Sequence, residues 1–261
     1  MKHAGTLFLL FVLFFLPVIV LLLTGLSPGW RFPDVWPDTF SLQSITYLNV
    51  HQKQLVMSIG SSFFFSLLTV VVTFFMCLFP SAAFARTEFS GKALLEGLLL
   101  TPALMPPMTF AMGLHFVFIR FSLTENLMGV VIVLAMFSYP YMFRALVAGF
   151  QAMGEAYGIC ARNLGASTLS IVFRVELPLL VPAIVAGGSV VFLVAFSEYF
   201  IVFLIGGGSV PSFTGTLFPL LSSSNRSLAA ILTLLFLLIP IVLFLLVDKV
   251  LFAVYRKKGM V

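Results

Sequence analysis

The sequence predicts an all-α membrane protein with six transmembrane helices. Of its 261 residues, 61% are hydrophobic and only 9% are charged, whereas about 25% of the residues of a typical soluble domain are charged. The mean hydropathy of the chain is +1.17. Apolar blocks of membrane-spanning length recur along the whole chain, which predicts a single transmembrane domain over residues 1–261.

Six apolar blocks are long enough to cross a bilayer. A helix rises about 1.5 Å per residue, so about 20 residues cross a hydrocarbon core of about 30 Å. The predicted spans are residues 7–26, 55–84, 94–119, 127–143, 179–205 and 228–252. The first block is longer than the apolar part of a signal peptide and lacks an Ala-x-Ala cleavage site, so we interpret it as an uncleaved span.

The distribution of Lys and Arg predicts the orientation, because these residues collect in the cytoplasmic loops of membrane proteins. With both termini in the cytoplasm, ten of the 14 basic residues lie inside, namely Lys2, Arg86, Lys92, Arg144, Arg162, Arg174, Lys249, Arg256, Lys257 and Lys258. Four lie outside, namely Arg31, Lys53, Arg120 and Arg226. This bias accounts for the net charge of +5 without nucleic-acid binding, for which the sequence has no basic stripe.

The third predicted span is interrupted by prolines. Pro102, Pro106 and Pro107 lie within it, and an interior proline removes a backbone donor and bends the helix. Membrane helices tolerate such breaks where the freed groups face protein or a wet cavity. Pro102 and Pro106 are therefore candidates for the wall of a translocation path, and a structural kink is the alternative. His115 in the same span is predicted to be hydrogen-bonded rather than a ligand.

Glu198 and Tyr199 are the second candidates for the translocation path. A carboxylate inside an apolar span costs a few kcal/mol on insertion scales and indicates a function. Glu198 is predicted to face a cavity, to contact a cationic substrate or to hold an outer gate. The alternative is a position near the outer interface, where it would pair with Arg226 or Arg120.

Small and hydroxyl-bearing residues predict close contacts between spans. They lie in the second span at Ser58, Ser61, Ser62, Ser66, Thr69 and Thr73, and in the fifth span at Gly187, Gly188 and Ser189. Such residues let helices approach and form hydrogen bonds across an interface. For the second span we favour packing over a path-lining role.

Residues 153–182 predict a helix, a turn and a second helix on the cytoplasmic side. Gly154 and Gly158 each weaken the first helix by about 1 kcal/mol relative to Ala. The turn is placed at Gly165-Ala166-Ser167, because Gly permits left-handed backbone and Ser can cap the helix that follows. The second helix is apolar and leads to Leu177-Pro178.

This segment resembles the EAA loop of ABC importer permeases, in which an EAA-x-x-x-GA pattern is followed, after some ten residues, by LP-x-x-x-P. Gly165-Ala166 and Leu177-Pro178 are separated by ten residues, and Pro182 completes the pattern. The glutamate of the pattern is absent, because Ile159 occupies its position. Glu155 lies one helical turn upstream on the same face, and our hypothesis is that it replaces the missing glutamate.

The resemblance implies a type I ABC importer permease bundle, with a family-like core at residues 55–246. In that family the loop forms a coupling helix that sits in a cleft of the ATPase subunit, here residues 150–177. The implied coupling residues are Glu155, Arg162, Gly165, Ala166, Ser167, Leu177 and Pro178. The motif Ala85-Arg86 followed by Gly91-Lys92 also resembles the family at the matching place.

The resemblance also implies the partners and the setting. The partners are two ATPase subunits, a second permease that is identical or homologous, and an extracytoplasmic substrate-binding protein that would meet residues 206–227. ATP and Mg would be bound by the ATPase, with no cofactor on this chain. The setting is the bacterial inner membrane, where the chain would move a small solute by alternating access. The degenerate loop and Ser197-Glu198-Tyr199 resemble the polyamine, iron, thiamine and aminoalkylphosphonate group, and Glu198 favours a polyamine because it could attract a cation.

No catalytic motif is present in the sequence. It has no G-x-x-x-x-G-K-[ST], no HExxH and no nucleophile elbow, and its two cysteines, Cys77 and Cys160, have no metal-ligand spacing. We therefore expect a non-catalytic subunit without a metal site. Two other classes stay open. One is an ATP-independent secondary transporter or channel, which usually has inverted repeats with paired broken helices, a pair that we do not find in the sequence. The other is a membrane enzyme, for which the spans offer only the scattered His115 and Glu198.

Overall fold

The computed structural model describes residues 2–30 and 33–257, and this part of the chain contains helices and no β-strand. The helices are α1 (Lys2–Leu26), α2 (Gln43–Val50), α3 (Gln52–Arg86), α4 (Lys92–Leu100), α5 (Pro107–Arg120), α6 (Leu127–Met153), α7 (Ala156–Asn163), α8 (Thr168–Ile171), α9 (Leu177–Ser197), α10 (Phe200–Gly206), α11 (Phe213–Leu221) and α12 (Arg226–Lys257). A 3-10 turn (Thr101–Leu104) follows α4, and a π-helical turn (Val172–Glu176) joins α8 to α9. Arg31 and Lys258, which entered the prediction of orientation, lie outside the described residues.

Five helical stretches in the described residues are long and apolar enough to cross a membrane. They are Leu9–Leu26, Gln52–Arg86, Leu127–Met153, Thr168–Ser197 and Arg226–Leu251. Lys92–Leu104 and Pro107–Arg120 qualify only as a pair, bent by 100° at the break between them. The described residues therefore hold five candidate spans, or six if the bent pair is one span. The fifth predicted span, residues 179–205, is wrong at its end, because α9 stops at Ser197.

Internal contacts divide the chain into two compact units, the described residues of 1–59 with 213–261, and residues 60–212. In the first unit, α1 packs along α12. Gly25 permits the approach, because an added Cβ would lie 2.7 Å from Ile231 Cγ1. Ser227 Oγ lies 2.6 Å from the carbonyl oxygen of Thr24 and donates to it. A small residue and a hydroxyl group thus stabilise this contact, as is usual between membrane helices.

In the second unit, α6 packs along α9 and forms the centre of the apolar core. Val130, Val133 and Leu134 of α6 are fully buried. At Gly187 of α9, an added Cβ would lie 2.9 Å from Ala145 Cβ and 3.0 Å from Met142 Sδ. The predicted role of Gly187 in close helix contact is confirmed.

The small polar residues of α3 within this unit form a buried seam. Its members are Ser62, Ser66, Thr69, Thr73, Cys77 and Ser81, all with no exposed surface. Ser81 Oγ donates to the carbonyl oxygen of Phe143 at 3.3 Å, and Cys77 Sγ lies 3.6 Å from that of Tyr139. Because both acceptors belong to α6, the seam agrees with the packing role that the sequence favoured.

Candidate functional site

The coupling segment, which we define as residues 150–177, begins where α6 ends. Gly154 stops the helix because its φ is +67° and its ψ is −171°, a backbone conformation open almost only to glycine. Glu155 then takes the N-cap position of α7, but its side chain forms no capping hydrogen bond and is exposed. The eight residues of α7, with Gly158 among them, gain little helical stability of their own. The position of α7 must therefore come from its neighbours.

The C-terminus of α7 is closed by a Schellman motif. Gly165 has φ +81°, and its N–H donates to the carbonyl oxygen of Arg162 at 2.9 Å. The N–H of Ala166 donates to the carbonyl oxygen of Ala161 at 3.0 Å. These two bonds, with glycine at the left-handed position, define the motif. The backbone conformation at position 165 therefore favours glycine, and the predicted turn is confirmed.

Ser167 starts the second helix of the segment. Its Oγ accepts from the N–H of Ser170 at 3.4 Å and caps α8. After one turn of α8, the backbone continues as the π turn. The helix α9 then begins at Leu177, with Pro178 in its first turn. The N–H groups of a first turn have no partner within the helix, so the missing N–H of proline costs no hydrogen bond there. The predicted helix, turn and helix are confirmed, and the π turn between Ser167 and Leu177 was not predicted.

Large apolar side chains stand exposed on this segment. Leu164, beside the Gly165 turn, is 88% exposed. Four further side chains are exposed to a smaller degree, namely Tyr157, Ile159, Leu169 and Phe173. We call these five residues the coupling surface. Leu169 and Phe173 belong to the apolar stretch Thr168–Ser197. Tyr157, Ile159 and Leu164 lie outside the candidate spans, next to polar residues and irregular backbone, so these three indicate contact with another protein.

An ion pair connects the coupling segment to the end of α3. Arg86, at the end of α3, places Nη2 2.6 Å from Oε1 of Glu176 in the π turn. Their side chains are 30% and 10% exposed. Sequence reasoning missed this pair, because it used Arg86 only as a basic residue and as part of the Ala85-Arg86 motif, and it considered only Glu155 as a replacement for the missing glutamate. A carboxylate directly before Leu177-Pro178, at the edge of an apolar span, was the available signal.

A cavity of about 170 Å³ lies between this pair and α7. It brings together two of the predicted coupling residues, Glu155 and Arg162, with Arg86 and Glu176. The other lining residues are Gly154, Gly158 and Ile159. Glu155 and Ile159 thus share a face, as their spacing predicted.

The proline break is sharper than the kink that the sequence predicted. Pro102 lies in the 3-10 turn after α4, Met105 is extended with ψ 139°, and Pro106 is the N-cap residue of α5. The two helices meet at 100°. Residues 94–119 therefore form two helices with a sharp break between them, because three prolines in six residues remove backbone donors.

Glu198 lies at a second break, which the sequence did not predict. It follows the last residue of α9 and has extended backbone, with ψ 122°. Its Oε1 accepts from the N–H of Phe200 at 3.1 Å and of Ile201 at 3.3 Å, so the carboxylate caps α10. Tyr199 stacks on the ring of Phe203, with 5.5 Å between centroids. Glu198 is buried and has a structural role at the start of α10.

The short helices that follow the two breaks pack against each other. Ala111 and Phe118 of α5 lie in one apolar cluster with Ile201 and Ile205 of α10. The candidates Pro106 and Glu198 therefore each begin one helix of a contacting pair. Among the described residues, no group of three or more His, Cys, Asp or Glu side chains is placed to hold a metal ion.

Comparison with known proteins decides the family. The family model described as "Binding-protein-dependent transport system inner membrane component" matches residues 81–257. The chain belongs to this family. The resemblance inferred from residues 162–182 is thereby confirmed, and so is the expectation of a membrane transport component rather than an enzyme.

Two curated relatives and one solved structure agree with membership of this binding-protein-dependent family. The chain is 32% identical over 114 residues to the molybdate/tungstate transport system permease protein WtpB of Pyrococcus furiosus, covering 44% of this chain and 45% of that protein. It is 22% identical over 210 residues to the spermidine/putrescine transport system permease protein PotC homolog of Mycoplasma genitalium, covering 77% and 74%. The chain thus spans about half the length of the Pyrococcus relative.

The solved structure is that of a bacterial ABC transporter involved in the import of the acidic polysaccharide alginate. The TM-score is 0.71 at 16% identity, covering 95% of this chain and 94% of that chain. At this identity the likeness concerns the fold, and the all-α class predicted from the sequence is confirmed.

Proposed function

We propose that this chain is the transmembrane permease subunit of an ATP-driven, binding-protein-dependent ABC importer. The coupling surface is the observation that carries the proposal: its members Tyr157, Ile159 and Leu164 are exposed outside the candidate spans, on a segment that the positive-inside bias assigns to the cytoplasm. The description of the family states that its transport systems depend on a binding protein. An ATPase subunit that receives α7 in a cleft accounts for the exposed apolar side chains, and an external binding protein accounts for the family's description.

The mechanism is alternating access driven by differential contact. The ATPase must bind the coupling surface differently in its ATP-bound and ATP-free states, since a partner that bound both states equally would shift no equilibrium. The implied residues of contact are Glu155, Arg162, Gly165, Ala166 and Ser167. ATP and Mg belong to the ATPase in this proposal, and this chain binds no cofactor.

The assembly we propose has two ATPase subunits, two permease subunits that are identical or homologous, and an external binding protein. The chain crosses the bacterial inner membrane six times as a single domain, with the bent pair α4 and α5 as one of the crossings and both termini in the cytoplasm. The translocation path passes the helix breaks at Pro102, Pro106, Glu198 and Tyr199, because discontinuous helices in membranes occur where backbone faces protein or a wet cavity.

The substrate we propose is a small solute, with spermidine or putrescine as the first to test. The Mycoplasma relative, aligned over most of both chains, carries that name. Molybdate is the second, from the Pyrococcus relative, and iron, thiamine and aminoalkylphosphonate follow from the sequence resemblance. Glu198 places a carboxyl group at the break before α10, and a carboxylate there would favour a cationic substrate.

Glu198→Gln separates the charge of Glu198 from its capping role. The amide oxygen can still accept from the N–H groups of Phe200 and Ile201, so we expect normal amounts of assembled complex. If the charge attracts substrate, uptake of radiolabelled putrescine falls roughly tenfold, which corresponds to about 1.4 kcal/mol. Unchanged uptake would remove Glu198 from the path.

The proposed function is tested by uptake into liposomes that contain the complex purified from its native membrane. We expect labelled putrescine, or molybdate in a parallel assay, to accumulate only when ATP is present on the ATPase side and the binding protein on the other. The second candidate is a secondary transporter, which the paired breaks before α5 and α10 favour. Uptake driven by an ion gradient without ATP would support it and contradict the importer.

A further inference from the structure

Arg86 joins the ends of three helical elements. It is the last residue of α3, and its guanidinium forms the 2.6 Å ion pair with Glu176, directly before α9. The same guanidinium lies 4.9 Å from the ring centroid of Phe150, a buried residue in the last turn of α6. A planar guanidinium can form an ion pair and stack on a ring at the same time, which a lysine ammonium does less well.

This ion pair differs from its neighbours in burial and reach. Lys92 and Glu88 are separated by four residues, and Glu88 is 89% exposed. Arg144 and Glu96 lie 3.8 Å apart, with side chains that are 67% and 38% exposed. Arg86 and Glu176 are 90 residues apart in sequence and largely shielded. Exposed pairs contribute little. Removing one partner of a shielded pair is more costly, because it leaves an uncompensated charge.

Glu176 also lies against α7. An added Cβ at Gly158 would lie 4.0 Å from Glu176 Oε1, and both residues line the cavity of about 170 Å³. From α7, the charged groups that face this cavity are Glu155 and Arg162. The carboxylate that pairs with Arg86 therefore lies beside α7 at Gly158.

We propose that Arg86 and Glu176 form a latch that passes movement of α7 to the ends of α3 and α9. The inference rests on the proposed function, since an ATPase would supply the movement. Both residues are positioning residues: they hold α7 in place, and the ATPase touches α7. The π turn that carries Glu176 supports this role, because π-helical turns are frequent at functional sites.

Hydrogen exchange in the full chain, in lipid nanodiscs, tests the latch without any partner. We expect Arg86→Gln and Glu176→Gln each to speed exchange of the α7 amides at least about tenfold, while the amides of α6 stay protected. The double exchange Arg86→Glu with Glu176→Arg restores the native rate, because it rebuilds the pair with reversed charges. The matched control is Glu96→Gln, which removes the pair with Arg144 and leaves α7 unchanged.

Native exchange of α7 in both single variants would overturn the latch, and so would a double exchange that restores nothing. Should α6 lose protection in the Gln variants, Arg86→Lys replaces them. It keeps the charge and loses the guanidinium above Phe150, so we expect intermediate exchange in α7. Native exchange of α7 in that variant would also overturn the proposal.

The transmission itself is tested in the complex with the ATPase that co-purifies. In the native complex, ATP with vanadate is expected to change exchange in α7 and in residues 83–86 of α3. In Glu176→Gln the change in α7 stays and the change in α3 is lost. A change in α3 that persists would overturn the latch. If no ATPase co-purifies, the proposed function fails, and exchange of α7 in the chain alone still decides whether the latch exists.

Discussion

Gly165→Asp is expected to abolish binding of the ATPase to the coupling segment. The φ of +81° at Gly165 is unfavourable for a residue with a side chain, and the Schellman motif that closes α7 depends on it. The new carboxylate would also stand beside Leu164, the most exposed apolar residue of the coupling surface. We expect the amount of co-purified ATPase to fall at least about tenfold, equivalent to about 1.4 kcal/mol.

Gly208→Asp is the matched control for this variant. Gly208 also has φ +81° and open space where a Cβ would stand, so the substitution introduces the same backbone strain and the same charge. It lies in the segment predicted to be outside the membrane. Its ATPase capture should equal that of the native chain. Equal loss in both variants would show that strain, and not docking, causes the effect.

Gly129→Ala is expected to destabilise the fold more than any other glycine-to-alanine change in α6. An added Cβ would overlap the carbonyl oxygen of Leu123. The loop cannot move away easily, because Asn126 Oδ1 accepts from the N–H of Gly129 at 2.8 Å and its Nδ2 donates to the carbonyl oxygen of Ser122 at 3.1 Å. We expect a loss on the order of 3 kcal/mol and a melting temperature in detergent lower by roughly 5–10 °C.

Gly113→Ala provides the comparison for Gly129→Ala. Gly113 lies in α5 with no atom within 4 Å of a built Cβ, and alanine is favoured over glycine in a helix by about 1 kcal/mol. Its melting temperature should equal or slightly exceed that of the native chain. A Gly129→Ala protein that melts with the native chain would contradict the described packing of residues 122–129.

The features of the site that depend on neighbouring residues could be predicted from the sequence. The turn at Gly165 follows from a backbone conformation that favours glycine, and the cap at Ser167 follows from the hydroxyl group beside it. Pro106 also marked a helix break from the sequence alone, because proline has no backbone N–H to donate. Hydropathy found the apolar helices, including Gln52–Arg86 and Arg226–Leu251.

The features that depend on distant residues or on hidden breaks could not be predicted. The ion pair between Arg86 and Glu176 joins residues that are 90 positions apart in sequence. No local sequence pattern predicts the π turn that carries Glu176. The break at Glu198 was hidden because the apolar residues on both sides continue the hydropathy of a single span. Prolines mark the break before Pro107, but hydropathy does not encode its 100° angle or the contact of α5 with α10.

The central claim is that a separate ATPase drives this permease through the coupling segment, and capture of the native chain from its own membrane tests it most directly. The chain is isolated in mild detergent and, in parallel, in nanodiscs, and the proteins bound to it are identified and counted. The account predicts an ATPase with a phosphate-binding loop, in one copy per permease chain. A chain that purifies without any ATPase in both preparations would contradict the account and favour the secondary transporter.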